Sequence, residues 1–298
     1  MASRPVLSDH SKGLLLTSLG VLAISPDGLL TRLITAPAFD VTYWRGLYFG
    51  FAVFLWSLIR YRGRFLDKVF AIGLPGCLLA VLYAVGNLSF IYSLKHTAVA
   101  NTLFILSSTP LFAAIISWIF FREKIRFATS VAIIFVAVGI GVICFGKGPL
   151  STSWAGNAAG LLAAATLAAG FCVVRVNKTL DFLPAFGLGG FVAAIMISPF
   201  VETSTATVMD HGYLFLMGSI MLPIANALMF LGPRYLPAAE VGLVMLLESI
   251  CGPLWVWLVL AENPGAYTLA GGAVVLLTLA VHANYRLKVE SKPKAYLQ

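Results

Sequence analysis

The sequence contains an internal repeat. When the chain is shifted by 139 residues, the segment 87–141 aligns with the segment 226–280 without a gap. Equal or similar residues then coincide along the segment, namely Asn87 with Asn226, Lys95 with Arg234, Ala100 with Ala239, Trp118 with Trp257, Glu123 with Glu262 and Thr129 with Thr268. A match of this length indicates two structural repeats, so the fold has to accommodate both copies.

Both copies are strongly apolar. Of the 298 residues, 60% are hydrophobic and 11% are charged, whereas a soluble domain carries about 25% charged residues. Such a chain cannot cover itself with a polar surface, which indicates that membrane lipid surrounds it. A spanning helix needs about 20 apolar residues, and the sequence predicts ten, with approximate bounds 13–34, 40–59, 69–92, 97–120, 127–145, 155–174, 182–200, 212–231, 238–260 and 266–285.

Basic residues predict the orientation of these spans. With the N-terminus in the cytoplasm, 16 Lys and Arg residues fall on the cytoplasmic side and four on the other side, namely Arg32, Arg45, Lys95 and Lys147. Cytoplasmic loops carry the excess of basic residues in membrane proteins. We therefore predict a multi-pass protein of the cell (inner) membrane with both termini cytoplasmic. The net charge of +8 then reflects topology, and no nucleic-acid partner is expected.

The repeated motif falls on opposite sides of this topology. The segment 121–126 faces the cytoplasm with three basic residues, whereas its counterpart 261–265 faces outward with none. Five helices per repeat, an odd number, invert the second copy. We predict an all-α integral membrane protein with ten transmembrane helices in two inverted five-helix repeats, 1–150 and 151–298, the second ending in a short basic tail. Inverted repeats are typical of secondary transporters with a substrate site near the midplane.

The repeated segments carry a family resemblance. Residues 87–103, followed by Pro110 and Arg122-Glu123, resemble the EamA module of the drug/metabolite transporter (DMT) superfamily. The second copy, residues 235–242 followed by Glu248 and Glu262, resembles the family's second module, although Ser249 stands where Pro is common. The resemblance covers about the whole chain and implies a transporter of small molecules. Within the superfamily the general similarity is to YddG-type amino-acid exporters, which implies an amino-acid substrate.

Two carboxyl groups lie inside predicted spans. Asp27 follows Pro26 in the first span, and Glu248 lies near the middle of the ninth. A charge at the bilayer centre costs about 2.5–3.5 kcal/mol on insertion scales. Either residue could hold a proton or cation or pair with a substrate ammonium group. The structural alternative is a neutral carboxylic acid that is hydrogen-bonded to a neighbouring helix.

Uncharged polar residues and one Trp complete the candidate substrate site. Amides and hydroxyls can bind carboxylate and ammonium groups without burying a fixed charge, and aromatic rings can line an apolar pocket. The candidate substrate-binding residues are Tyr83 and Asn87 on one face of the third span, Asn101 and Ser108 on one face of the fourth, Asn226, Glu248 and Trp255. The structural alternative for the polar residues is helix–helix hydrogen bonding.

Other chemistry finds little support in the sequence. The four cysteines lack metal-site spacing, the four histidines are scattered, and residues 141–148 lack the Ser or Thr of a phosphate-binding loop. We expect no enzyme activity, cofactor or metal. The GxxxG spacings at Gly46–Gly50 and Gly156–Gly160 predict close helix packing. The expected partners are a small-molecule substrate and membrane lipid. A DMT carrier of a drug, sugar nucleotide or other metabolite, a channel and an intramembrane enzyme remain alternatives, and the oligomeric state stays open.

Overall fold

The computed structural model describes residues 9–122, 127–145, 153–177, 179–202, 205–231 and 238–290. Within these ranges the chain is helical and contains no β-strand. Lys147, Arg234, Glu123 with its loop, and the basic tail after residue 290 lie outside the described residues. An all-helical membrane architecture is therefore confirmed for the part of the chain that is described.

The helices follow one another with short connections. In chain order they are α1 (Asp9–Ile24), α2 (Asp27–Leu33), α3 (Ala38–Tyr61), α4 (Phe65–Ala71), α5 (Gly73–His96), α6 (Val99–Leu106), α7 (Thr109–Phe121), α8 (Phe127–Phe145), α9 (Trp154–Val176), α10 (Leu183–Ile197), α11 (Val208–Phe215), α12 (Leu222–Leu231), α13 (Ala238–Leu260) and α14 (Ala266–Glu290). A π-helical segment, Leu216–Met221, joins α11 to α12.

Within the described ranges, eight helical segments are long and apolar enough to cross a membrane. They are His10–Leu33, Gly73–His96, Val99–Phe121, Phe127–Phe145, Trp154–Val176, Leu183–Phe200, Val208–Met229 and Ala266–Tyr285. The two other predicted spans correspond to α3, with 24 residues, and α13, which contributes the shorter apolar segment Val244–Leu260. The count of ten spans therefore remains a prediction.

Two predicted spans are interrupted, which corrects the expectation of continuous helices. The first span breaks at Ser25–Pro26, and the fourth breaks at Ser107–Ser108 between α6 and α7. Proline explains both breaks, since it lacks a backbone N–H and its ring clashes with the preceding turn; Pro26 lies in the first break and Pro110 near the start of α7. The polar face predicted along one fourth helix is accordingly divided between α6 and α7.

Glycines bring the helices of the two halves into backbone contact. A Cβ atom on Gly46 of α3 would lie 2.7 Å from the carbonyl oxygen of Gly190 in α10, and one on Gly190 would lie 2.6 Å from that of Gly46. On α9, a Cβ on Gly156 or Gly160 would lie 3.1 Å from the His96 carbonyl oxygen or 3.0 Å from Ser93 Oγ of α5. Both GxxxG spacings therefore serve close helix packing, as predicted.

The two halves of the chain are interleaved in one bundle. Helix α3 packs along α10, α8 along α14, α5 along α9, and α1 along α12. Each of these pairs joins a helix of residues 9–145 to one of residues 154–290. A side chain near the middle of the bundle can therefore meet residues from both halves.

Candidate functional site

The break between α1 and α2 places a carboxylate inside the bundle. Asp27 is the first residue of α2, and its Oδ2 accepts a hydrogen bond of 2.9 Å from Nη2 of Arg45 in α3. Both side chains are only 4% exposed. This finding corrects the assignment of Arg45 to the outer surface, because Arg45 lies seven residues inside α3, about 10 Å from its end.

Arg45 is enclosed by packing from two further elements. Its guanidinium carbon lies 5.7 Å from the ring centroid of Phe90 in α5, within the range of a cation–π contact. The π-helical segment approaches the same turn of α3, since a Cβ on Gly218 would lie 3.0 Å from the Arg45 carbonyl oxygen. Single-turn π-helices are frequent at functional sites, so this packing marks the turn around Arg45 as a candidate site.

One face of α5 lines this region. Tyr83, Asn87 and Phe90 follow the i, i+4, i+7 spacing of a single helix face. The Tyr83 ring stacks on Phe49 of α3 with centroids 5.2 Å apart, and Phe90 contacts Arg45. Asn87 therefore lies between two residues that contact α3. Tyr83 also interacts electrostatically with Arg45.

Glu248, from the second half of the chain, lies within electrostatic range of the same ion pair. It lies in the middle of α13 and interacts electrostatically with both Asp27 and Arg45. Hydrogen bonds hold α13 in place nearby, because Ser249 Oγ donates to the Leu103 carbonyl at 3.2 Å and Trp255 Nε1 donates to Ser25 Oγ at 3.0 Å. We name Asp27, Arg45, Tyr83 and Glu248 the central cluster.

The other predicted site residues occupy different environments. Asn101 is fully buried; its Nδ2 donates to Thr97 Oγ1 at 3.0 Å and its Oδ1 accepts from Thr268 Oγ1 at 2.7 Å. Ser108 Oγ donates to the Ile105 carbonyl at the break between α6 and α7. Both residues thus take part in structural hydrogen bonding. Asn226 is partly buried on α12, which packs on α1.

Polar contacts join the two halves at one end of the bundle, which we name the Arg32 end. Arg32 Nε lies 3.1 Å from Glu262 Oε2, and Glu262 Oε1 accepts from the Val99 amide at the start of α6 at 3.1 Å. Asp210 accepts from both the amide and the hydroxyl of Thr35 at 2.8 Å. These two carboxylates therefore bind the first half of the chain to the second.

A third carboxylate completes the contacts at this end. Asp40, 1% exposed at the start of α3, accepts from the Thr205 hydroxyl and, at 3.1 Å, from the Glu202 amide. We name Arg32–Glu262, Thr35–Asp210 and Asp40–Thr205 the closing contacts. Sequence reasoning did not single out Asp40 or Asp210, because each lies at the edge of a predicted span, where carboxylates are common.

The opposite end of the bundle is held differently. Asp181, between α9 and α10, accepts from Tyr61 Oη at 2.5 Å and lies 3.9 Å from Arg60 Nη2. The Arg60 and Asp181 side chains are 55% and 38% exposed. Exposed ion pairs contribute about 0–1 kcal/mol. In the described residues, the buried carboxylate contacts between halves thus concentrate at the Arg32 end.

Sequence reasoning missed Arg45 as a site residue, although a signal was present. Arg45 falls inside the predicted span 40–59, and an ionisable residue within a span is by default a functional-site hypothesis. Its proximity to the end of the span led to its assignment to a loop. The partner, Asp27, was correctly identified as an intramembrane carboxylate.

The apolar helices of the bundle define a multi-pass membrane protein. The sequence model of the EamA-like transporter family matches residues 11–145. This match agrees with the resemblance of the first repeated segment to the EamA module of the DMT superfamily. The matched region ends with α8.

A solved structure shares the overall fold. This protein, described only as "Crystal structure of protein", has a TM-score of 0.65 and 15% sequence identity, over 94% of this chain and 99% of that chain. At this identity the likeness concerns the fold alone. Among curated proteins, none matches the sequence.

Proposed function

We propose that the chain is a secondary transporter that moves a small polar metabolite, with an amino acid as the favoured substrate, out of the cytoplasm by alternating access. The observation that carries the proposal is the central cluster. Asp27 and Arg45 come from the first half of the chain and Glu248 from the second. Charges buried in a membrane bundle are costly and are associated with substrate or ion pathways.

The helix pairings support two inverted repeats over residues 1–150 and 151–298. When the helices of the two repeats are matched in chain order, α9 is the counterpart of α1–α2, and α11–α12 is the counterpart of α5. The contact between α5 and α9 then corresponds to the contact between α12 and α1. The pairs α3–α10 and α8–α14 each consist of two counterparts. All of these contacts are present, as a two-fold relation between the repeats requires, and the odd number of helices per repeat accounts for the inversion. In inverted-repeat transporters the substrate site lies at the interface between repeats, where the central cluster is found.

The closing contacts support alternating access. On the predicted topology the Arg32 end faces away from the cytoplasm, so that release to the outside requires these contacts to break. They consist of side-chain hydrogen bonds and an ion pair, which can be exchanged for water without unfolding a helix. We propose that the structure represents a state closed toward the outside.

The burial of Arg45 supports the proposed orientation in the inner membrane. Removing Arg45 from the four basic residues assigned to the outer side leaves three, against 16 on the cytoplasmic side. The asymmetry expected for cytoplasmic termini is therefore greater than the sequence count suggested.

The charge balance of the central cluster favours an amino acid over other DMT cargoes. One guanidinium is hydrogen-bonded to the Asp27 carboxylate and interacts electrostatically with Glu248, so the cluster combines groups of both signs. A zwitterion complements both signs, whereas a drug of single charge or a sugar nucleotide complements only one. A channel or an intramembrane enzyme would not need two halves joined by breakable contacts at one end.

Counterflow in proteoliposomes tests the proposed function. Vesicles that contain the purified protein are loaded with a mixture of unlabelled amino acids, and the entry of each radiolabelled amino acid is followed against protein-free vesicles. We expect trans-stimulated uptake of at least one amino acid. Uptake without trans-stimulation would indicate a channel, and trans-stimulation by a nucleotide sugar or a drug alone would indicate another DMT cargo.

A further inference from the structure

The ion pair in the central cluster leaves several polar atoms unpartnered. In the described part of the chain, Asp27 Oδ1, Arg45 Nε and Arg45 Nη1 are buried without a hydrogen-bond partner, although both side chains are 4% exposed. Buried polar atoms are nearly always hydrogen-bonded. A buried guanidinium that uses only Nη2 therefore has free donors for a ligand.

The geometry of the guanidinium restricts how an anion can bind. Arg presents two edges that match a carboxylate with two parallel hydrogen bonds. One edge pairs Nε with Nη2 and the other pairs Nη1 with Nη2. Both edges include Nη2, the atom that Asp27 occupies. Nη2 carries two N–H donors, one on each edge, so the single hydrogen bond to Asp27 leaves one complete edge of Arg45 open to a second carboxylate.

A second carboxylate on Arg45 creates a need for a cation. The buried guanidinium would then hold two carboxylates, that of the ligand and that of Asp27, whose Oδ1 is itself without a hydrogen-bond partner. An uncompensated buried negative charge is strongly unfavourable. A ligand that brings an ammonium group beside its carboxylate removes this penalty, whereas a simple carboxylic acid does not.

We propose that Arg45 anchors the substrate carboxylate and that Asp27 accepts the substrate ammonium group, so that a free α-amino acid binds across the Asp27–Arg45 ion pair. This inference rests on the proposed transport function. An α-amino acid carries its carboxylate and its ammonium group on one carbon. The two ligand charges are therefore close together, as are the Arg45 and Asp27 side chains, which one hydrogen bond joins. The rings of Phe49, Tyr83 and Phe90 beside this contact favour an apolar substrate side chain.

Substrate derivatives provide the first test. An amino acid that shows counterflow is compared with its N-acetyl and its amide derivative, each of which lacks one charge. We expect both derivatives to lose counterflow by about tenfold or more, the effect of one lost charged hydrogen bond. Counterflow of either derivative at the rate of the parent amino acid would overturn the two-point anchor.

Variants of the ion pair provide the second test. Arg45→Lys keeps the charge but not the bidentate edge, and we expect KM for the amino acid to rise about tenfold or more at an unchanged thermal unfolding midpoint. The matched control is Arg32→Lys, the same substitution in the Arg32–Glu262 pair, which should leave the preference over the N-acetyl derivative unchanged. An unchanged KM in Arg45→Lys would overturn the anchor.

A charge swap separates binding from folding if single variants are unstable. The double variant D27R/R45D restores an ion pair at the same place and should recover the thermal midpoint but not transport. Wild-type transport by the swap would show a purely structural pair. If the wild type transports only molecules without an ammonium group, the anchor is overturned while the transport function stands; if no substrate shows counterflow, the transport function itself fails.

Discussion

Arg32 and Glu262, 230 residues apart in the chain, form an ion pair of 3.1 Å at the Arg32 end of the bundle. The same carboxylate accepts the Val99 amide at the start of α6, where negative charge also complements the helix dipole. One side chain thus binds α2 and α6 of the first half to the connection between α13 and α14 of the second. One substitution at Glu262 therefore removes one of the closing contacts together with the hydrogen bond to the start of α6.

Loss of Glu262 should open the Arg32 end. Glu262→Ala removes the ion pair and the cap of α6, interactions worth about 1.5–3 kcal/mol, so the open population should rise about tenfold or more. Ala100→Cys, at a position buried in the closed state, reports opening through its reaction rate with a membrane-impermeant thiol reagent. Glu202→Ala is the control, because this exposed residue contributes its backbone amide to Asp40. Equal labelling rates in all three proteins would contradict the gating role.

The predicted topology can be tested with exposed residues at the two ends. Glu202 lies in the connection before α11, at the Arg32 end, and Asp67 lies in α4, at the opposite end. In intact cells, Glu202→Cys should react with an impermeant thiol reagent, whereas Asp67→Cys should react only after permeabilisation. The reverse pattern would place the termini outside, and labelling of both from one side would refute the bundle orientation.

Glu248 should be required for transport and not for folding. Glu248→Gln keeps the shape and hydrogen-bonding capacity but removes the titratable carboxyl group beside Asp27 and Arg45. We expect normal expression and thermal stability, with transport either lost or freed from its dependence on pH. Counterflow across a series of pH values measures this, with exposed Glu202→Gln as the matched control. A variant that transports like the wild type at every pH would make Glu248 a structural residue.

The contact between α3 and α10 should be intolerant of a methyl group. Gly190→Ala would place Cβ 2.6 Å from the Gly46 carbonyl oxygen, an overlap that backbone must relieve at a cost of about 1–3 kcal/mol. We expect a lower thermal unfolding midpoint in detergent. Gly141→Ala in α8 is the control, since its Cβ would meet nothing within 4 Å and alanine favours a helix by about 0.5–1 kcal/mol. Equal midpoints for the two variants would contradict the close packing.

Much of the architecture could be predicted because its determinants are local. Apolar runs predict helices in a membrane, since lipid leaves backbone groups no partner but each other. The resemblance to the EamA family was recognisable from residues 87–103, which lie within the region that the family model matches. The GxxxG pairs correctly predicted close helix packing. The breaks at Pro26 and before Pro110 were also marked in the sequence, but proline can either kink or interrupt a membrane helix, and only packing distinguishes the two.

The site was predictable only in part, because charge pairing depends on distances across the bundle. Asp27 and Glu248 were identified from the cost of burying a carboxylate, a property of each position alone. Arg45, the partner of Asp27, had the sequence position of a surface residue and became a candidate site residue only when α2 and α3 were packed together. Asn101 shows the converse. The sequence predicted that its amide binds substrate, but in the structure this amide is hydrogen-bonded to Thr97 and Thr268. The sequence by itself determined that this chain is a helical membrane protein with a costly polar interior; tertiary structure decided which of its polar groups satisfy one another and which remain free to bind.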